Sequence, residues 1–192
     1  MCYTKKILLI VSGGIAAYKS LELIRLLKDE SFSVVPVMTS SAATFVTPLS
    51  LSVLSGNKVH KELHDLDSEM DYGHIELSRQ SDLIVVAPAT ANIIAKAANG
   101  LADDLASNIL LATDKPVLMA PAMNIRMWGH KATKRNISQL REDGIKFVGP
   151  TEGAMACGEF GFGRMAEADE ILKEIEANFR DKKLKGRHFL VT

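Results

Sequence analysis

The stretch richest in reactive and ligand-binding side chains is Pro121-Ala122-Met123-Asn124-Ile125-Arg126-Met127-Trp128. It holds an amide, two thioethers, a guanidinium and the only tryptophan of the chain. The preceding run Lys115 to Ala120 (KPVLMA) reads as a short buried strand. Ligands of open α/β sheets sit at the carboxyl ends of strands, so this segment falls where a ligand would be met. On spacing alone it is equally a loop with a hydrophobic anchor. The residues at the other strand ends decide between the two.

At the first strand end, Ser12-Gly13-Gly14-Ile15-Ala16 leads into a helix. Glycines let backbone approach a ligand, and a helix start offers free N–H groups to an anion. The dinucleotide fingerprint GxGxxG fails, because Ile15 and Tyr18 occupy its second and third glycine positions. The second strand ends in Thr39-Ser40-Ser41, with no acid to hold a ribose diol. Hydroxyls and a helix start suit a monophosphate better than a pyrophosphate. The third strand end, Pro88-Ala89-Thr90-Ala91-Asn92, is again small and hydroxylated, although Thr90 also fits a helix N-cap. Together the three ends form a shallow floor for a flat ring with a phosphate tail.

His74, in DYGHIELS before the third strand, has the pKa range of a general base at neutral pH, or serves structure alone. His60, His64, His130 and His188 have no comparable surroundings, and HxH or HExxH spacing is absent, so no metal is expected. Cys157 lies among Gly153, Gly158, Gly161 and Gly163. That density of glycine describes a mobile flap able to close over a substrate, or else a disordered surface loop. Arg164, at its end, suits a phosphate or carboxylate.

The elements that would position these residues alternate. Lys5–Ser12, Ser33–Thr39, Asp82–Ala87, Lys115–Ala120 and Lys146–Gly149 read as strands, with Pro36 marking the second as an edge or a bulge. Helices are expected over Ile15–Glu30, from Thr47-Pro48 to Gly56, over Asn92–Asn99 and Asp103–Thr113, and over Ala168–Arg180. Such alternation implies a parallel sheet with helices on both faces. The chain has 192 residues, 47% of them hydrophobic, enough for one sizeable core. Lys+Arg and Asp+Glu both number 23, so no basic footprint for nucleic acid is present. No apolar run approaches the roughly 20 residues of a membrane span. Neither a signal peptide nor a cysteine framework is evident, since only Cys2 and Cys157 occur, and a reduced cytoplasmic setting is expected. LKGRHFLVT begins another strand and stops, which reads as a cut chain.

These stretches resemble the phosphopantothenoylcysteine decarboxylase family, within the homo-oligomeric flavin-containing cysteine decarboxylases. SGGIAAYK, TSSAATFVTP, GHIELS, DLIVVAPATANIIAKAANGLADDL, PAMNIRMW and ACGEFGFGRM occur in family order over about residues 5 to 180, and PxMNxxMW is highly specific. Phe162 and Ala168 stand where many bacterial members have proline. The resemblance implies a three-layer, Rossmann-like (flavodoxin-like) fold over 1–181. It implies that 182–192 is a linker and the truncated start of a phosphopantothenate–cysteine ligase domain. It further implies FMN as cofactor and (R)-4′-phospho-N-pantothenoyl-L-cysteine as substrate. The substrate would be oxidised to a thioaldehyde, decarboxylated to an enethiol and reduced to 4′-phosphopantetheine. By similarity His74 is the base, Asn124 holds the carboxylate and Cys157 is the final proton donor. FMN contacts would come from Ser12, Gly13, Gly14, Thr39, Ser40, Thr90, Ala91, Asn92 and Ala122. Met127, Ala156 and Arg164 would join Asn124 at the substrate. The family assembles as trimers that build dodecamers. Two other readings stay open: a peptidyl-cysteine decarboxylase of the same group, or a non-catalytic FMN-binding regulator.

Overall fold

The computed structural model describes residues 4–62, 73–156 and 158–180, without the side chain of His74. Cys157 and the expected ligase start at 182–192 lie outside the described residues. Five parallel strands form the main sheet: β1 (Lys6–Val11), β2 (Ser33–Met38), β3 (Leu83–Ala89), β4 (Val117–Pro121) and β5 (Lys146–Phe147). Their order is β2-β1-β3-β4-β5, the doubly wound arrangement expected from the alternation of elements. As Pro36 indicated, β2 lies at the edge, with Pro36 paired to Leu9 and its carbonyl accepting from the His60 N–H at 3.0 Å.

β1 to β4 are buried on both sides along nearly their whole length because both faces are covered. In β1, Ile7, Leu9 and Val11 point to one layer, with Leu23, Ile24 and Leu27 of α1 (Lys19–Asp29) and Ile171 and Ile175 of α8 (Ala168–Phe179). Leu8 and Ile10 point to the other, with α4 (Ala91–Ala98), α5 (Leu105–Ala112) and α7 (Lys131–Glu142). Burying each such aliphatic side chain contributes about 1.5–3 kcal/mol. Two further helices are α2 (Pro48–Ser55) and α3 (Gly73–Arg79). Thr47 caps α2 by accepting from the Ser50 N–H, and Gly56 closes it at φ +72°.

Several segments differ from the sequence expectation, among them α3, where no helix was expected. Ile15–Tyr18 is a 3₁₀ turn and the α-helix begins only at Lys19. Trp128 lies within a short helix, α6 (Ile125–Gly129), where a loop was expected. α7 follows directly; its buried face is only Thr133, Ile137 and Leu140, too sparse an apolar pattern to stand out. The glycine-rich segment is an antiparallel hairpin of β6 (Thr151–Ala154) and β7 (Phe160–Arg164), which overturns the reading of it as a disordered loop. Its glycines permit close packing. A Cβ on Gly163 would overlap the Met123 carbonyl oxygen, and one on Gly161 would overlap Ile125. Ala168 is the first residue of α8, a position where proline fits equally well, so that departure leaves the helix start intact.

Candidate functional site

The carboxyl ends of β1, β3 and β4 open into a cavity of 610 Å³, within the size range of small-molecule sites. It lies at the switch point where the chain reverses direction across the sheet, between β1 and β3. All nine residues expected at a cofactor, Ser12, Gly13, Gly14, Thr39, Ser40, Thr90, Ala91, Asn92 and Ala122, line it. So do Asn124, Met127, Ala156 and Arg164. His74 is on α3, one residue into the helix, and the structure gives no side-chain position for it. Cys157 follows Ala156 directly in sequence, but is not itself described.

The floor is knit by hydroxyls. Ser12, at the end of β1, donates to the Pro88 carbonyl at 2.6 Å and accepts from the Thr90 N–H at 3.3 Å. Ser12 therefore latches two strand ends together as well as facing the cavity. Ser20 ties α1 to β3 through the Ala87 carbonyl at 2.6 Å. Thr90 caps α4, as one reading of the sequence held, and leaves the first N–H groups of that helix beside the cavity. Gly13 passes so close to Ser41 that a Cβ would overlap its side chain. Any larger residue at position 13 would push the hydroxylated turn Ser40–Thr44 away from the β1 end.

Thr39 is the most informative member of this floor. Its Oγ1 is buried and has no hydrogen-bond partner among the described residues. An unsatisfied buried hydroxyl costs about 1–3 kcal/mol. Thr39 lines the cavity, and a ligand that reached this atom would remove that cost.

On the opposite side Asn124 is the N-cap of α6, and its Oδ1 accepts from the Met127 N–H at 2.8 Å. The amide oxygen is thus committed, and the two Nδ2 hydrogens remain for an acceptor in the cavity. Met127 is 45% exposed at the cavity wall, while Met123 and Trp128 pack on the core layer below. The side chain of Arg164 pairs with Glu167, so it is an ion-pair member and not an isolated cation.

Sequence reading missed two lysines that line the cavity. Lys19, inside SGGIAAYK, is only 5% exposed; Lys96 pairs with Asp103 at 2.6 Å and Asp104 at 2.8 Å. The hydrogen bonds that Lys96 donates to those carboxylates, Asp103 first, raise its pKa. Helical periodicity marks such lysines as solvated, and only their neighbours in space reveal otherwise.

A doubly wound sheet with a hydroxyl-lined cavity at its switch point defines an α/β protein with a small-molecule site. The sequence profile of the family described as Flavoprotein matches residues 2–180, and the chain belongs to that family. It is 45% identical over 189 residues to the coenzyme A biosynthesis bifunctional protein CoaBC of Haemophilus influenzae. That alignment covers 98% of this chain and 47% of the relative, so the chain spans about half the length of the curated relatives it matches. Among solved structures, it is similar to a PPC decarboxylase mutant complexed with pantothenoylaminoethenethiol. The TM-score is 0.85 at 34% identity, covering 93% of this chain and 100% of the other. The FMN-binding protein AtHal3 gives a TM-score of 0.82 at 34% identity, covering 94% and 99%.

Proposed function

We propose that this chain is an FMN-dependent decarboxylase domain that converts (R)-4′-phospho-N-pantothenoyl-L-cysteine to 4′-phosphopantetheine and CO₂ in coenzyme A biosynthesis. The observation that carries the reading is one cavity lined both by Thr39, whose buried hydroxyl has no partner among the described residues, and by Asn124, whose amide hydrogens are uncommitted. It draws support from the relatives' names and from the match to a PPC decarboxylase.

The residues present fit FMN. Ser12, Gly13, Gly14, Thr39, Ser40, Thr90, Ala91, Asn92 and Ala122 would hold it, with the close backbone at Gly13 and the buried Thr39 hydroxyl as the fitting features. When bound, FMN supplies a reversible two-electron acceptor, so the carbon bearing the thiol can be oxidised and later restored without an external oxidant. The side chains supply the rest. His74 takes a proton from the substrate in the oxidative half. Asn124 Nδ2 holds the carboxylate with neutral hydrogen bonds, which orient it without trapping it in a buried ion pair. Loss of CO₂ from the thioaldehyde leaves an enethiol, and Cys157 returns the proton that completes the product. Met127, Ala156 and Arg164 complete the substrate wall, with Arg164 offering the guanidinium donors that Glu167 does not take.

In this reading the chain works in the cytoplasm, in homotrimers that build a dodecamer, fused in the full-length protein to a phosphopantothenate–cysteine ligase. Among the described residues, no helix is long and apolar enough to cross a membrane.

The test is to load the chain with FMN and follow CO₂ release from phosphopantothenoylcysteine beside a peptide ending in cysteine. Turnover of the former is expected. Preference for the peptide would assign the peptidyl reaction, and flavin binding with neither turnover would assign a regulator. Cys157→Ser should release CO₂ yet stall at the enethiol. His74→Asn should abolish CO₂ release with FMN still bound.

A further inference from the structure

Lys19 is a charged group that the proposed chemistry does not use. A lysine with 5% of its surface exposed is costly to bury unless its ammonium is paired. Its Nζ donates to the Met165 carbonyl at 3.0 Å and pairs with Glu167 at 3.0 Å. Both partners belong to the short connection that leaves β7 and starts α8. Lys19 itself follows immediately on the 3₁₀ turn Ile15–Tyr18, of which Ile15, Ala16 and Tyr18 line the cavity. One side chain therefore joins the cavity floor to the exit of the hairpin, across 146 residues of sequence.

Glu167 extends this link. The carboxylate that meets Lys19 also pairs with the Arg164 guanidinium, at the end of β7. Arg164 in turn lies against Gly153 of β6, where an added Cβ would meet its Cδ and Nη1 at 3.1 Å. The series Lys19, Glu167, Arg164, Gly153 thus runs from the floor to both strands of the hairpin.

The hairpin needs such a restraint. It forms its own two-stranded sheet apart from the main one, and an isolated two-stranded hairpin is marginal in water. Its tip, with the Met155 N–H donating to the Glu159 carbonyl, carries Met155 and Ala156 to the cavity. An anchor at the root of β7 fixes the direction in which that tip reaches.

We propose that Lys19 is a positioning residue for the reaction: through Met165 and Glu167 it holds the β6–β7 hairpin over the cavity, and so sets where the hairpin tip meets the substrate. This rests on the decarboxylase reading for the reaction, though not for the anchoring. The experiment compares wild type, Lys19→Met and Glu167→Gln by hydrogen exchange, without and with FMN, and by product formation. In Lys19→Met the amides of 151–165 should exchange at least roughly tenfold faster, the loss expected for one charge-assisted bond, while those of β1 and β3 keep their rates. FMN affinity should stay within about twofold while kcat falls at least roughly tenfold. Glu167→Gln, altered from the solvent side, should show the same pattern more weakly, and it alone decides if Lys19→Met does not fold. Wild-type exchange in the hairpin, or a loosened hairpin with unchanged product formation, overturns the proposal. So does faster exchange spread evenly over the chain, which marks general stabilisation. If wild type itself forms no product, the decarboxylase reading has failed, and the exchange rates still decide the anchoring.

Discussion

The Met123 N–H donates to the Gly163 carbonyl at 2.9 Å, and the Met123 carbonyl oxygen occupies the space that a Gly163 side chain would fill. Met123 immediately precedes Asn124, so the amide at the cavity and the second strand of the hairpin move as one unit. Gly163 makes this possible with φ at +148°, a conformation that side chains other than glycine rarely adopt.

Gly163→Ala breaks this contact twice, by overlap with Met123 and by backbone strain of about 1–3 kcal/mol. The cost falls on hairpin docking, because neither residue lies in a strand of the main sheet. Protease nicking between residues 151 and 164 should rise while FMN affinity stays near wild type, and decarboxylation should fall. A variant that resists nicking and turns over normally would show the contact to be dispensable.

Asn124 has two separable tasks, because its oxygen caps α6 while its amide hydrogens are left uncommitted at a residue that lines the cavity. Aspartate caps a helix as well as asparagine does, so Asn124→Asp keeps the first task and loses the second. It also sets a negative charge against the substrate carboxylate. Thermal stability should be unchanged, with KM at least roughly tenfold higher. Asn124→Ala should instead lose about 1 kcal/mol of capping energy as well. Unaltered KM in Asn124→Asp would remove Asn124 from the carboxylate site.

Thr39→Val replaces a buried hydroxyl that has no partner among the described residues by a methyl of the same shape. Without flavin the variant should be more stable, by about 1 kcal/mol, since an unsatisfied group is gone. Its FMN affinity should drop by roughly tenfold, one hydrogen bond's worth. The opposing signs are the check, read by thermal unfolding without flavin and by flavin titration. Loss of stability together with unchanged affinity would mean that Thr39 serves packing alone.

The strand ends at 12–14, 39–40, 90–92 and 121–124 were legible because a buried parallel strand is a continuous apolar run. The residues just beyond its carboxyl end are small and polar, and they fall in a known place. The hairpin was not legible. Glycines at 153, 158, 161 and 163 signal freedom when read along the chain, whereas two of them exist to admit Ile125 and the Met123 carbonyl. Sequence spacing carries no record of which distant backbone comes close. Lys19 was hidden for the same reason, its partners lying at Met165 and Glu167.

The Lys96 cluster at the cavity edge gives a pH dependence whose sign is fixed by the directions of its shifts. Asp103 is held below its ordinary value of 3.8 by the Lys96 hydrogen bond. Burial of Asp104 opposes its ionisation, yet the hydrogen bonds from Lys96 and Ser107 prevail and lower its pKa as well. Both carboxylates therefore contribute stability that is complete above pH 3.8 and is lost as pH falls through their lowered folded values. Lys96, raised from 10.5, contributes fully below pH 10.5 and loses its share as pH rises beyond that through the raised value. Lys96→Met should thus melt below wild type near neutral pH, with the gap closing as both are taken well under pH 3.8. The measurement is Tm against pH for the two proteins. A gap that stays constant into strong acid would mean that Lys96 stabilises the fold by packing of its aliphatic stem and not by charge.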